Sequence, residues 1–166
     1  MIKVQTSLRF GFFLCATLCV VASSFAQGSF SLPENDRKDD IPFELINNLV
    51  IIPVEINGTK LSFLLDTGVD ATIIFGITEE DSLRVNTAKP VRMKGLGTGD
   101  AVEALESLNN TIRVGDAVDT KHALYFVFDS SLNFSPRMGV PIHGILGYSF
   151  FKDFVVKTNY ITQKIT

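Results

Sequence analysis

Two runs of strand-forming residues meet at Asn57-Gly58, and no other stretch constrains the fold as tightly. Val50 to Ile56 is rich in β-branched residues, and Asn-Gly is the dipeptide that accepts the positive φ angles of a type I′ turn. Lys60 to Leu65 then alternates and returns as a second strand. The pattern predicts a hairpin that delivers Asp66 to its tip. There a carboxylate stands between two apolar segments, Leu61 to Leu65 before it and Ile73, Ile74 and Phe75 after it. Burying such a group costs several kcal/mol unless hydrogen bonds or a partner charge compensate it.

Taken alone, Asp66-Thr67-Gly68 is only a turn, since Asp opens turns and Gly closes them. Its flanks change the reading. Leu64-Leu65-Asp66-Thr67-Gly68-Val69-Asp70-Ala71-Thr72 resembles the active-site signature of the aspartic proteases. His143-Gly144-Ile145-Leu146-Gly147 resembles the second signature, whose strand packs behind the catalytic loop. From about Phe43 to Ile161 the chain is similar to the small, single-motif, retropepsin-like branch of that family. The resemblance implies an all-β fold: a retropepsin-like acid-protease barrel with a flap hairpin and one short helix near the C-terminus, at Tyr148 to Phe151. It implies catalysis by Asp66, with the Thr67 hydroxyl and the Gly68 amide fixing the loop. It also implies substrate contacts from Val69 and Asp70, and from the flap at Gly95, Leu96 and Gly97.

Two positions depart from the viral pattern. Val69 stands where alanine is usual, a change of shape only. Tyr148 stands where viral enzymes carry an arginine that pairs with the residue matching Asp70. Secreted bacterial relatives often carry a downstream PDZ module, and none is expected here.

Aspartic proteolysis needs two carboxylates sharing a proton across a water. This chain offers one Asp-Thr-Gly, because Val127-Phe128-Asp129-Ser130-Ser131 has serine, at Ser131, where glycine is needed. The expected enzyme is therefore a homodimeric endopeptidase, acting on peptide or protein substrates, with one Asp66 from each chain. The alternative is a catalytically inactive module of the same fold that binds peptide or a partner protein.

Other chemistries find little support. Gly95-Leu96-Gly97-Thr98-Gly99 lacks the lysine of a P-loop and the following helix of a dinucleotide site, and reads as a mobile hairpin tip. His122 and His143 are the two histidines, and their spacing fits no local metal site. They read as surface or hydrogen-bonded residues. Neither metal nor cofactor is expected.

The N-terminus reads as a signal peptide over 1–26. Lys3 and Arg9 precede an apolar run from Phe10 to Val21, and Ser24-Phe25-Ala26 supplies a cleavage site. The run is short for a membrane span, so no stable span is expected after cleavage. Cys15 and Cys19 both fall inside this segment, which leaves the mature part without disulfides. An exported chain of that kind suits a bacterial periplasm or exterior. All 18 acidic residues lie beyond residue 26 while two of the 15 basic ones do not, giving a mature net charge of about −5. That balance argues against nucleic acid as a partner. Residues 27–42 read as a flexible lead-in and 43–166 as one domain. Further strands are expected at Val91 to Lys94, Thr111 to Val114, Ala123 to Phe128 and within Val155 to Ile165. A short helix is expected after Thr78, and a loop from Leu132 to Pro141.

Overall fold

The computed structural model describes residues 28–94, 101–129, 132–133 and 135–166. The segment read as a signal peptide, and Gly95, Leu96 and Gly97, expected to form the flap, lie outside the described residues. Strand β1 (Ile41–Pro42) and β2 (Glu44–Ile46) lead into the hairpin of β3 (Leu49–Ile56) and β4 (Thr59–Leu65). Its register runs from Ile56 opposite Thr59 to Ile51 opposite Leu64. Asn57 and Gly58 hold φ angles of 49° and 88°, as a type I′ turn requires. One correction concerns Asp66: it follows β4 at the end away from that turn, so it lies at the open end of the hairpin and not at its tip.

The chain continues through β5 (Thr72–Ile74), β6 (Ala88–Met93), β7 (Val102–Val114) and β8 (Ala117–Val127). Helix α1 (Ser135–Met138), β9 (Gly144–Leu146) and helix α2 (Tyr148–Phe151) follow. Then come β10 (Thr158–Asn159) and β11 (Lys164–Ile165). Thr78 begins a single 3-10 turn over Glu79–Asp81, closed by the Asp81 carboxylate, which accepts from the Thr78 N–H at 2.6 Å and its hydroxyl at 3.0 Å. Helix α1 occupies part of the expected loop. Proline at its second position is tolerated because a first-turn N–H has no intrahelical partner, and Ser135 Oγ ties its start to the Ile142 carbonyl at 3.0 Å.

Strands pair in the order β2-β3-β4-β9-β5-β8-β7-β6, and β3 also pairs with β7. That last pairing, Glu55 opposite Arg113 and Ile56 opposite Ile112, closes β3, β4, β9, β5, β8 and β7 into a ring. Closure pairs the six ring strands on both sides and, among the described residues, leaves free edges only on the flanking β2 and β6. The inward positions carry Ile52, Val54, Ile56, Phe63, Ile112, Val114, Leu124 and Leu146, all buried. A second small sheet joins β1, β11 and β10, and sets Ile41 and Pro42 opposite Ile165 and Lys164.

Of the residues read as a lead-in, the described ones, 28–42, pack against the ring. Phe30 is buried, its ring edge-on to His122 at 5.2 Å and to Phe150 at 5.1 Å. Ser31 bridges Val118, and Asp39 Oδ2 accepts the Asp116 N–H at 2.7 Å. One phenylalanine in a polar run leaves no periodic signal, yet its burial contributes about 2 to 3 kcal/mol.

Candidate active site

Strand β9 lies between β4 and β5, parallel to the first and antiparallel to the second. The loop 66–71, which joins β4 to β5, must therefore arch over the end of β9. Asp66 is anchored there at once, its N–H donating to the Leu146 carbonyl at 3.1 Å. The Gly68 N–H donates to Asp66 Oδ1 at 2.8 Å and fixes the carboxylate against its own loop. On the far side, the N–H groups of Tyr148 and Ser149 capture the carbonyls of Val69 and Asp70 at 2.6 and 3.2 Å. This capture requires Gly147: a Cβ there would run into the carbonyl oxygens of Val69 and Ala71.

The loop turns its polar residues outward and its apolar ones inward. Asp66 is partly exposed, and Thr67, Gly68 and Asp70 are exposed. Val69 and Ala71 join an apolar cluster centred on Ile73, Ala104 and Val127, which also takes in Val91, Met93 and Val102 from β6 and β7. Those last residues are the arms of the hairpin expected to be the flap, paired from Ala88 opposite Ser107 to Met93 opposite Val102. The same arms, with Phe128 and Asp129 beyond β8, line an open cleft of about 620 Å³. Arg92 and Glu103 give it charge, and Phe128 stands 74% exposed beside it. Asp66 is not in the lining of this cleft; the two meet through the shared apolar cluster.

Behind the loop runs a buried polar chain that the sequence did not announce. Thr72 Oγ1, at the start of β5, lies 2.7 Å from His122 Nε2 and 3.3 Å from Ser149 Oγ. His122 Nδ1 lies 2.7 Å from Asp119 Oδ2, and Asp119 Oδ1 accepts the Lys121 N–H at 2.8 Å. Burial pushes the Asp119 carboxyl up. The hydrogen bonds from His122 and the Lys121 N–H, with the charges of His122 and Lys152, outweigh that and hold it below the usual carboxylate range. His143, the other histidine, accepts the Ser62 N–H on Nδ1 at 2.9 Å and lies 3.4 Å from Asp81 Oδ1. Both histidines are hydrogen-bonded, as read from sequence.

A family model described as aspartyl protease matches residues 52–150, from the middle of β3 into α2. The chain belongs to the aspartyl protease family. No curated protein matches it in sequence. Membership supports a proteolytic function, and the β-ring with β9 behind the Asp66 loop is the retropepsin-like architecture expected. The structure brings Asp66, Thr67, Gly68, Val69 and Asp70 together in one loop. Tyr148 holds that loop through its backbone, and its side chain is half exposed. Among the described residues no group of three or more His, Cys, Asp or Glu side chains is placed to hold a metal ion. No described helix is long and apolar enough to cross a membrane. Sequence reasoning missed Asp119 and Ser149 and undervalued His122. The spacing Asp119-x-x-His122 was the available signal, but on a regular strand it puts the two residues on opposite faces.

Proposed function

We propose that the protein is an aspartic endopeptidase whose active site is assembled from the Asp66 carboxylates of two identical chains. The supporting observation is the Asp66 loop itself: a carboxylate held at the exposed end of a rigid ring, with Oδ1 engaged by the Gly68 N–H. One Asp66 acts as base on a water. As the water oxygen attacks the peptide carbonyl, the base takes the water proton. The other Asp66, protonated, hydrogen-bonds the carbonyl oxygen and stabilises the charge that develops there. Collapse of the tetrahedral intermediate transfers a proton to the leaving nitrogen and releases acid and amine. Like charges at about 3 Å do not both ionise cheaply, so the pair titrates as a unit and favours acid pH. Gly95, Leu96 and Gly97 are assigned to the flap above it, and Val69 and Asp70 to the substrate side of the loop.

The dimer follows from the count of carboxylates and is tested by dilution. Specific activity should fall as the protein is diluted through its dimer dissociation constant, in step with the mass measured by sedimentation. Undiminished activity in a proven monomer would contradict it. We further propose that residues 1–26 export the chain to the periplasm or exterior of a bacterial cell, so that the exported form begins at Gln27; an intact mass that retains Met1 to Ala26 would refute this. Mapping peptides released from a protein mixture by mass spectrometry tests the catalytic reading. No cleavage at any pH by a folded dimer would favour the alternative, an inactive peptide-binding module.

A further inference from the structure

We propose that His122, paired with Asp119, is a positioning residue for the Asp66 loop, and that the protonation of its ring sets the direction of a buried hydrogen-bond chain ending on that loop. This rests on the proposed peptidase function for its kinetic consequence but not for its geometry. Asp119, His122 and Thr72 are 2%, 4% and 1% exposed, so these three members are shielded from solvent, while Ser149 at the loop end is partly buried. The ionised Asp119 can only accept, which places a proton on His122 Nδ1. In the neutral ring, Nε2 is an acceptor. The Thr72 hydroxyl then donates to it, and Ser149 O–H donates to Thr72. In the protonated ring Nε2 donates to Thr72 Oγ1, and the Thr72 hydroxyl is released to donate to Ser149. A proton added at His122 thus leaves the bond to Asp119 as it is and reverses the two bonds from Nε2 to Ser149, whose N–H holds the Asp70 carbonyl. The protonated arrangement is the stronger clamp, since the bonds from the ring to Asp119 and Thr72 are then charge-assisted. Protonation of the ring therefore tightens the start of α2, whose N–H groups hold the loop that carries Asp66.

The surroundings are built for this pair. Gly28 lies so close over Asp119 that a Cβ would collide with its carboxylate, and the Phe30 ring covers His122. The charged groups near it are Asp119 on its own strand, Lys152, whose Nζ donates to the Gly28 carbonyl at 3.2 Å, and Asp153, which accepts the Phe30 N–H at 2.8 Å. Thr72, Ser149 and Phe30 contribute no charge. The N-terminal stretch is thereby a cover over the relay, which accounts for its departure from a loose leader.

Proton and nitrogen resonances of the whole folded protein, followed from acid to neutral pH, test the proposal without requiring activity. The expected result is one titration step shared by the His122 ring and the Asp70 and Ser149 amides, absent from those amides in folded His122→Gln. A step that persists unchanged in His122→Gln, or amides that ignore the ring, would overturn it. Thr72→Val, of equal volume, is the second variant and should uncouple the same amides, while Thr72→Ser keeps the coupling. If wild type cleaves peptide, His122→Gln and Thr72→Val should lower kcat about 10-fold with KM unchanged, as a small misplacement of a reacting group does. Thr72→Ser should recover most of it, and equal kcat in all of them would refute the positioning role. A wild type that cleaves nothing refutes the peptidase reading, and the resonances still decide this one.

Discussion

The β7–β8 ribbon buries polar side chains in two places, built alike and charged differently. On β7, Ser107 and Asn110 are separated by three positions while their β8 partners Leu124 and His122 are separated by two. Further along, Asp119 and His122 on β8 span three positions against two on β7, from Asn110 to Ile112. Each is a bulge: one extra residue turns an i, i+3 pair onto one face. Asn109, at φ 58°, absorbs the first. The β7 bulge turns Asn110 toward the closing seam of the ring. There Asn57 Nδ2 donates to Asn110 Oδ1 at 2.9 Å, and Asn110 Nδ2 donates to Ser107 Oγ at 3.0 Å. The β8 bulge turns Asp119 and His122 toward the back of the Asp66 loop. The seam uses neutral amides and hydroxyls, whose bonds no pH change reverses. The loop is backed by an ionisable pair. A barrel that only needed filling would carry neither, so the difference separates a network that fixes register from one that responds to protons.

Substitutions that remove one network and spare the other sharpen this contrast. Asn110→Leu should have the largest effect on stability. It removes the bonds of Asn110 to Asn57 and Ser107, leaving Asn57 held by the Arg84 carbonyl and Ser107 by the Asn86 carbonyl, and should cost about 3 kcal/mol, equally in mild acid and mild alkali. Denaturant unfolding at both pH values checks this, and a pH-dependent loss would blur the distinction. Asp119→Asn should cost about 1 to 3 kcal/mol at neutral pH. The sign of its pH dependence follows from a carboxyl held below the usual range. Its stabilisation is fully present above the unfolded value and lost as pH falls through the folded one. The gap between wild type and Asp119→Asn should therefore close on acidification, and a constant gap would contradict the assigned charge. Lys89→Ala, on the neighbouring strand β6 and paired with Glu106 of β7, is the control outside both networks. Lys89 Nζ meets Glu106 Oε2 at 2.7 Å, but its side chain is 63% exposed. Its loss should cost under about 0.5 kcal/mol and vanish in high salt. A larger cost would mean that surface charge, not buried polarity, governs this ribbon.

These networks also mark where the sequence stopped being legible. The Asn57-Gly58 turn and the motif loop follow local rules, φ preference and alternation, so both were readable and the family followed from them. β7 and β8 were not readable as long strands. Asn109, Asn110, Asp119 and His122 interrupt their alternation, and a bulge shifts its phase, so each appeared only as its apolar end. Phe30 was illegible for another reason. Its burial depends on His122, Phe150 and Phe154, more than ninety positions away, and no window of sequence contains that contact.

The central claim is that Asp66 is the catalyst and that the rest of the ring holds it in place. Peptide hydrolysis by wild type and Asp66→Asn, each confirmed folded by circular dichroism and followed from acid to neutral pH, tests it directly. Wild type should cleave with a bell-shaped profile highest on the acid side. Asp66→Asn should lose essentially all activity, because one substitution alters both halves of a symmetric pair and an amide accepts no proton from water. Hydrolysis by the folded variant at the wild-type rate would show that the bond is broken elsewhere.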